Sequence, residues 1–217
     1  MIDGVIFDMD GLMFDTERVW ATLWEPALAT LGLCYKEGLD VAARGTAGDS
    51  MRAVLRRFYG EKCDTDGIIA ALHAQAEKAF QAPPPQKPGL DEILTWLDAQ
   101  HIPMVVASSS RTASILHHLN GWDLTHYFKA IISGEQFSAS KPDPEIFLRA
   151  AEALGTVPGR TLVLEDSYNG VRAGAAGGFV TVMVPDMAPA NDEMRRLYTA
   201  ECRDLYEVLD GLQKGRF

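Results

Sequence analysis

Two aspartates stand two positions apart in Asp8-Met9-Asp10-Gly11, directly after the apolar run Val5-Ile6-Phe7. Other polar groups follow or precede further apolar runs: the hydroxyls of Ser108-Ser109-Ser110, the ammonium of Lys141 ahead of Pro142-Asp143-Pro144, and the carboxylates of Glu165-Asp166 before Ser167. Each has an ordinary reading alone. An Asp-x-Asp is common in loops, serines cap helices, and a single lysine or acid pair is usually solvated charge. Taken together they suit phosphoryl transfer. Carboxylates gathered on one rim repel one another unless a hard cation sits among them, and Mg²⁺ prefers oxygen ligands. Asp8 and Asp166 are the expected direct ligands, with Glu165 as a further ligand or just behind them. With the cation present, Asp8 can attack phosphorus and form an aspartyl-phosphate. Ser108, Lys141 and helix-start N–H groups are donors for the transferring oxygens, and Ser109 stands beside them as a further phosphate contact. Asp10 projects to the same side of an extended chain as Asp8, so it can act as general acid for the leaving oxygen and then as general base for water.

These groups need a frame that brings them to one edge. Five short runs rich in Val, Ile and Phe read as buried strands: Val5 to Phe7, Met104 to Ala107, Ala130 to Ile132, Thr161 to Leu164 and Phe179 to Val184. Helical patterns lie between them at Leu90 to Ala99, Ala113 to Leu119, Glu145 to Leu154 and Val171 to Ala176. The alternation predicts an α/β fold, a parallel sheet with helices on both faces. Ligands of such sheets bind outside the carboxyl ends of the strands, where the polar groups fall. Asp143 is placed to cap the next helix and Pro144 to start it.

From about Asp15 to Ala82 the rhythm changes. Helical periodicity recurs around Val19 to Leu31, Met51 to Phe58 and Ile68 to Phe80, without a convincing strand. The expected division is an α/β core of residues 1–14 and 87–217, with a helical insertion over 15–86. Its proline-rich exit, 82–89, cannot continue a helix and makes a stiff connector. A loop over Pro185 to Asn191 and terminal helices are expected to complete the core.

The chain has 217 residues, and 30 acidic against 20 basic ones give a formal charge of -10. That charge disfavours nucleic acid or an anionic membrane surface as a partner. Cys34, Cys63 and Cys202 have no paired spacing and fit a reducing compartment. No run approaches the ~18 apolar residues of a membrane span, and the N-terminus lacks a basic leader. The expectation is a soluble, cytoplasmic protein acting on a small phosphorylated metabolite, with a monomer as the default state.

The motifs, in this order, resemble those of the haloacid dehalogenase (HAD) superfamily of aspartate-nucleophile phosphatases, in the branch whose helical cap follows the first strand. The matching residues are Asp8-Met9-Asp10-Gly11 with Asp15-Thr16-Glu17, then Ser108, then Lys141-Pro142-Asp143-Pro144-Glu145-Ile146-Phe147, then Leu164-Glu165-Asp166-Ser167. The resemblance implies a Rossmann-like core under a four-helix cap. It implies Asp8 as nucleophile, Asp10 as acid/base with its backbone carbonyl on Mg²⁺, Ser108 and Lys141 as phosphate clamps, and Asp166 as metal ligand. On the cap, Arg44-Gly45-Thr46 looks like the substrate-facing turn, making Arg44, with Thr16 at the cap's entry, the expected substrate contacts. Arg44 reads equally as a solvated arginine beside a turn glycine.

The β-phosphoglucomutase type shares the cap and the core motifs. It carries a histidine where this chain has Trp20, and a cap arginine where an ungapped alignment gives Gly48. Both departures favour hydrolysis, and the mutase stays as the alternative. Haloacid dehalogenation needs neither Mg²⁺ nor a leaving-group acid. A phospho-accepting receiver switch places its aspartate after a later strand and lacks a large helical insertion. Trp20 and Trp24, one helical turn apart, read as packing inside the cap rather than a substrate platform.

Overall fold

The computed structural model of the chain describes residues 2–44, 46 and 48–217. In chain order the elements begin with β1 (Gly4–Phe7), then α1 (Thr16–Ala29), α2 (Leu39–Ala43), α3 (Gly48–Tyr59) and α4 (Thr65–Ala79). There follow α5 (Leu90–Ala99), β2 (Met104–Ser108), α6 (Thr112–Gly121), β3 (Phe128–Ser133), α7 (Glu145–Leu154) and β4 (Thr161–Glu165). The chain closes with α8 (Tyr168–Ala176), β5 (Val180–Met183), α9 (Met194–Leu197), β6 (Ala200–Glu201) and α10 (Leu205–Gln213).

The strands form one sheet in the order β3-β2-β1-β4-β5-β6, parallel throughout. The chain lays strands outward on one side of β1 and then returns to its other side with β4. In open parallel sheets, such a reversal sends successive loops toward opposite faces, and ligands bind there, outside the carboxyl ends of the strands. Side chains alternate between two cores, as strand geometry requires. Val5, Phe7, Met104, Val106, Leu162 and Leu164 face the cluster covered by α5, α6 and α10. Ile6, Val105, Ala107 and Val163 face the cluster built with α7 and Phe179. Both faces of the central strands are therefore dry, which explains why β1, β2 and β4 read as continuous apolar runs.

The chain divides into two compact units, Met1–Asp15 with Pro85–Phe217, and Thr16–Pro84. In the first unit Phe14 pairs antiparallel with Gln86, Asp15 N–H donates to Pro85 C=O at 2.8 Å, and Lys87 N–H donates to Met13 C=O at 2.8 Å. Among its described residues the second unit has helices and no strand, with Leu23, Trp24, Leu28, Leu39, Leu55, Ile68 and Leu72 in its core.

Several local expectations need correction. β6 was not anticipated, because two residues carry no periodicity. α2 is a five-residue helix, little more than one turn, and likewise shows no period. α8 starts at Tyr168 rather than Val171, since the Ser167 side chain accepts the Gly170 N–H and begins the helix earlier. Pro144 occupies the residue before α7 rather than its first turn, while Asp143 Oδ1 accepts the Glu145 N–H at 2.9 Å.

Candidate active site

β1 delivers Asp8 to the carboxyl rim, and its N–H donates to Leu164 C=O at 3.1 Å, extending the pairing with β4 by one residue. The loop beyond then folds tightly on itself. Met13 and Phe14 N–H both donate to Met9 C=O, and Gly11 N–H donates to Phe14 C=O. Met9, Leu12, Met13 and Phe14 are buried under it, so hydrophobic burial holds a loop that its short hydrogen-bonded turns alone would not. Gly11 has φ +82°, and a Cβ there would lie 2.2 Å from Asp166 Oδ2. Glycine is required on both counts, and it lets the Asp166 carboxylate approach the backbone of the nucleophile loop.

Lys141 binds the rim together. Its Nζ donates to Asp8 Oδ1 at 2.5 Å, to Glu165 Oε1 at 2.6 Å and to Ala107 C=O at 3.2 Å. Glu165 is fully buried, and its other oxygen accepts the N–H and hydroxyl of Ser167, each at 2.9 Å. Gly170 makes room for that carboxylate, since a Cβ there would sit 1.8 Å from the Glu165 carboxyl carbon. Both Glu165 oxygens are thus engaged, one with Lys141 and the other with Ser167.

Burial pushes the Asp8 carboxyl up to about 8, with Glu165 and Asp10 adding to the rise and Lys141 opposing it. Burial pulls the Lys141 ammonium down, but Asp8 and Glu165 more than offset this and hold it above the usual lysine range. Lys141 therefore keeps its charge, and Asp8 is the group whose charge is disfavoured. Oxygen atoms of Asp8, Glu165 and Asp166 lie within 4.8 Å of one another. One ammonium does not neutralise three carboxylates, so this all-oxygen cluster is suited to a hard divalent cation.

The three serines take different places. Ser108 ends β2 and is buried, whereas Ser109 is exposed. Ser108 Oγ and Ser110 Oγ both donate to Asp10 Oδ2, at 3.2 Å and 2.7 Å, and Ser110 N–H donates to Ser108 Oγ at 3.0 Å. None of them caps α6, whose N-cap is Arg111 without a side-chain hydrogen bond. The Ser110–Asp10 bond is not legible in the sequence, where the run of three serines points equally to phosphate contacts or a helix cap.

The remaining expected contacts lie in the helical unit. Arg44 is ion-paired with Glu17 at 3.5 Å and Asp40 at 4.0 Å, so it is not simply a solvated arginine. Thr16 is fully buried, and its hydroxyl has no hydrogen-bond partner among the described residues. Thr46 donates to Ala43 C=O at 2.6 Å, and Gly45 lies outside the described residues. Trp24 is core, and Trp20 packs with its ring centroid 5.5 Å from Phe80 and 6.4 Å from His73. No helix among the described residues is long and apolar enough to cross a membrane.

Comparison with known proteins gives the same frame. The sequence profile described as haloacid dehalogenase-like hydrolase matches residues 5–184. A phosphorylated carbohydrates phosphatase of Thermotoga maritima is 30% identical over 177 residues, covering 82% of each chain. Hexitol phosphatase B of Escherichia coli K12 is 29% identical over 213 residues, covering 94% of this chain and 93% of its own. Among solved structures, a Thermotoga maritima protein provisionally assigned as a β-phosphoglucomutase superposes with a TM-score of 0.82 at 27% identity, covering 98% of this chain and 99% of that one.

Proposed function

Because the chain belongs to the haloacid dehalogenase-like hydrolase family, we propose that it is a Mg²⁺-dependent phosphatase of a small phosphorylated carbohydrate or polyol, working through an aspartyl-phosphate on Asp8. The observation that carries the proposal is the buried Asp8–Lys141–Glu165 arrangement beside Asp166 at the carboxyl ends of β1 and β4. The names of the relatives, phosphorylated carbohydrates phosphatase and hexitol phosphatase, support the substrate class.

Asp8, Asp166 and the Asp10 backbone carbonyl would hold the ion, and the oxygen donors and the glycine-made gap at Gly11 fit it. Bound there, Mg²⁺ would supply positive charge that lets the Asp8 carboxylate stay ionised and offsets charge on the transferring oxygens. Asp8 forms the bond to phosphorus while the bond to the leaving oxygen breaks, and Asp10 gives that oxygen its proton. Asp10 then takes a proton from water as the water oxygen bonds to phosphorus and Asp8 departs. Lys141, Ser108 and Ser109 are assigned to the phosphate oxygens. Glu165 orients Lys141. The helical unit is assigned the selection of the leaving group, with Arg44 and Thr16 as its candidate contacts.

The alternative is mutase chemistry, on the strength of the β-phosphoglucomutase-like neighbour. Trp20, packed on Phe80, stands where the mutase type carries an imidazole, which favours hydrolysis. Phosphate release from a panel of sugar, polyol, nucleotide and two-carbon phosphates, with Mg²⁺ or chelator, tests the choice. Multiple-turnover release supports the phosphatase, whereas conversion of β-glucose 1-phosphate to glucose 6-phosphate without release supports the mutase.

A further inference from the structure

We propose that Ser110 is a positioning residue that aims the Asp10 carboxylate for its two proton transfers, a role that rests on the phosphatase reading above. Two hydroxyls reach Asp10 Oδ2, that of Ser110 at 2.7 Å and that of Ser108 at 3.2 Å. A serine hydroxyl has a single proton to donate. If Ser108 gives its proton to a phosphate oxygen, it leaves Asp10, and Ser110 is then the hydroxyl that remains.

Ser110 is built to stay in place. Its N–H donates to Ser108 Oγ at 3.0 Å, and its C=O accepts the hydroxyl of Ser133 at 2.7 Å. Ser133 is fully buried at the end of β3. The neighbouring Gly134 lies so close that a Cβ on it would be 3.0 Å from Ser109 Cα. Two strand ends, β2 and β3, thus fix the backbone that carries the Ser110 hydroxyl. A hydrogen bond accepted at Oδ2 restrains rotation of the Asp10 carboxyl group and leaves Oδ1 as the oxygen that carries the transferable proton. A general acid must lie within hydrogen-bond reach of its target, so this restraint acts on rate rather than on substrate binding.

The proton count follows directly. Asp10 Oδ1–H passes its proton to the leaving alkoxide as Asp8 bonds to phosphorus. It regains one from water as the aspartyl-phosphate is hydrolysed. A leaving group that departs as a stable anion does not need the first of these transfers.

The test compares kcat/KM, which reports steps through departure of the leaving group, for wild type, Ser110→Ala and Ser110→Thr. The substrates are the best sugar or polyol phosphate of the panel and, as good leaving groups, p-nitrophenyl phosphate and acetyl phosphate. Ser110→Ala is expected to lose about tenfold on the sugar phosphate, a part of the 10²–10⁴-fold that a positioned acid contributes, and less than about twofold on the activated substrates. Ser110→Thr, which keeps the hydroxyl, should recover most of the loss. Equal losses on both substrate classes, or none on either, would overturn the proposal while leaving the phosphatase reading intact. Wild-type protein that turns over no phosphomonoester with Mg²⁺ would overturn both.

Discussion

Lys141 Nζ lies 2.5 Å from Asp8 Oδ1, with both side chains almost withdrawn from solvent. The pair links the residue after β1 to a lysine from the loop before α7, and Glu165 at the end of β4 completes the arrangement. Lys141 is thus the partner that makes a buried Asp8 tolerable and, in the proposed reaction, a cation beside the transferring oxygens. Lys141→Met should lower kcat/KM for phosphate release by about 10²–10³-fold, the scale of losing one preorganised donor. Because the substitution leaves Asp8 and Glu165 buried without their cation, the loss is read at a temperature where far-UV circular dichroism shows the variant folded.

Asp8 also sets a pH dependence of stability. Its folded-state carboxyl is raised to about 8 from the ordinary 3.8, burial being the main cause. A raised acid stabilises the fold fully below the unfolded value, and that contribution declines as pH climbs toward the folded one. In chelator, the advantage of Asp8→Asn over wild type should therefore grow from pH 4 to pH 8 and then level off. Urea midpoints of the two proteins across that range check this. A constant difference would show that Asp8 ionises freely in the metal-free fold.

Gly11 carries both a positive φ and the approach of Asp166 Oδ2. Gly11→Ala is expected to destabilise the protein by about 1–2 kcal/mol from the left-handed backbone alone. It should also raise the Mg²⁺ concentration needed for half-maximal activity, because the added methyl displaces Asp166. Mg²⁺ titrations of activity beside thermal melts separate the two effects. Unchanged Mg²⁺ dependence would remove Asp166 from the metal site.

The central sheet was legible because β1, β2 and β4 are buried on both faces, so their apolar runs stand out against polar strand ends. The placement of the rim groups was legible for the same reason: Asp8, Ser108 and Glu165 sit at the abrupt ends of those runs. β6 and α2 were not, since neither is long enough to show a period. The engagement of Glu165 with Lys141 and Ser167, and of Ser110 with Asp10, depends on how loops close in space. Residue types alone placed these groups on one rim without saying who holds whom. Arg44 shows the same limit, for its pairing with Glu17 and Asp40 follows from helix packing within 16–84.

The most direct test is to find the phosphoryl group during turnover. Asp10→Asn, mixed with acetyl phosphate and Mg²⁺, should accumulate the intermediate, because the first transfer needs no acid while the second has lost its base. Borohydride reduction followed by peptide mass spectrometry is then predicted to show homoserine at position 8. A phosphoryl group found on Ser108, Ser109 or Ser110, or turnover with Asp8 left unmodified, would contradict the account.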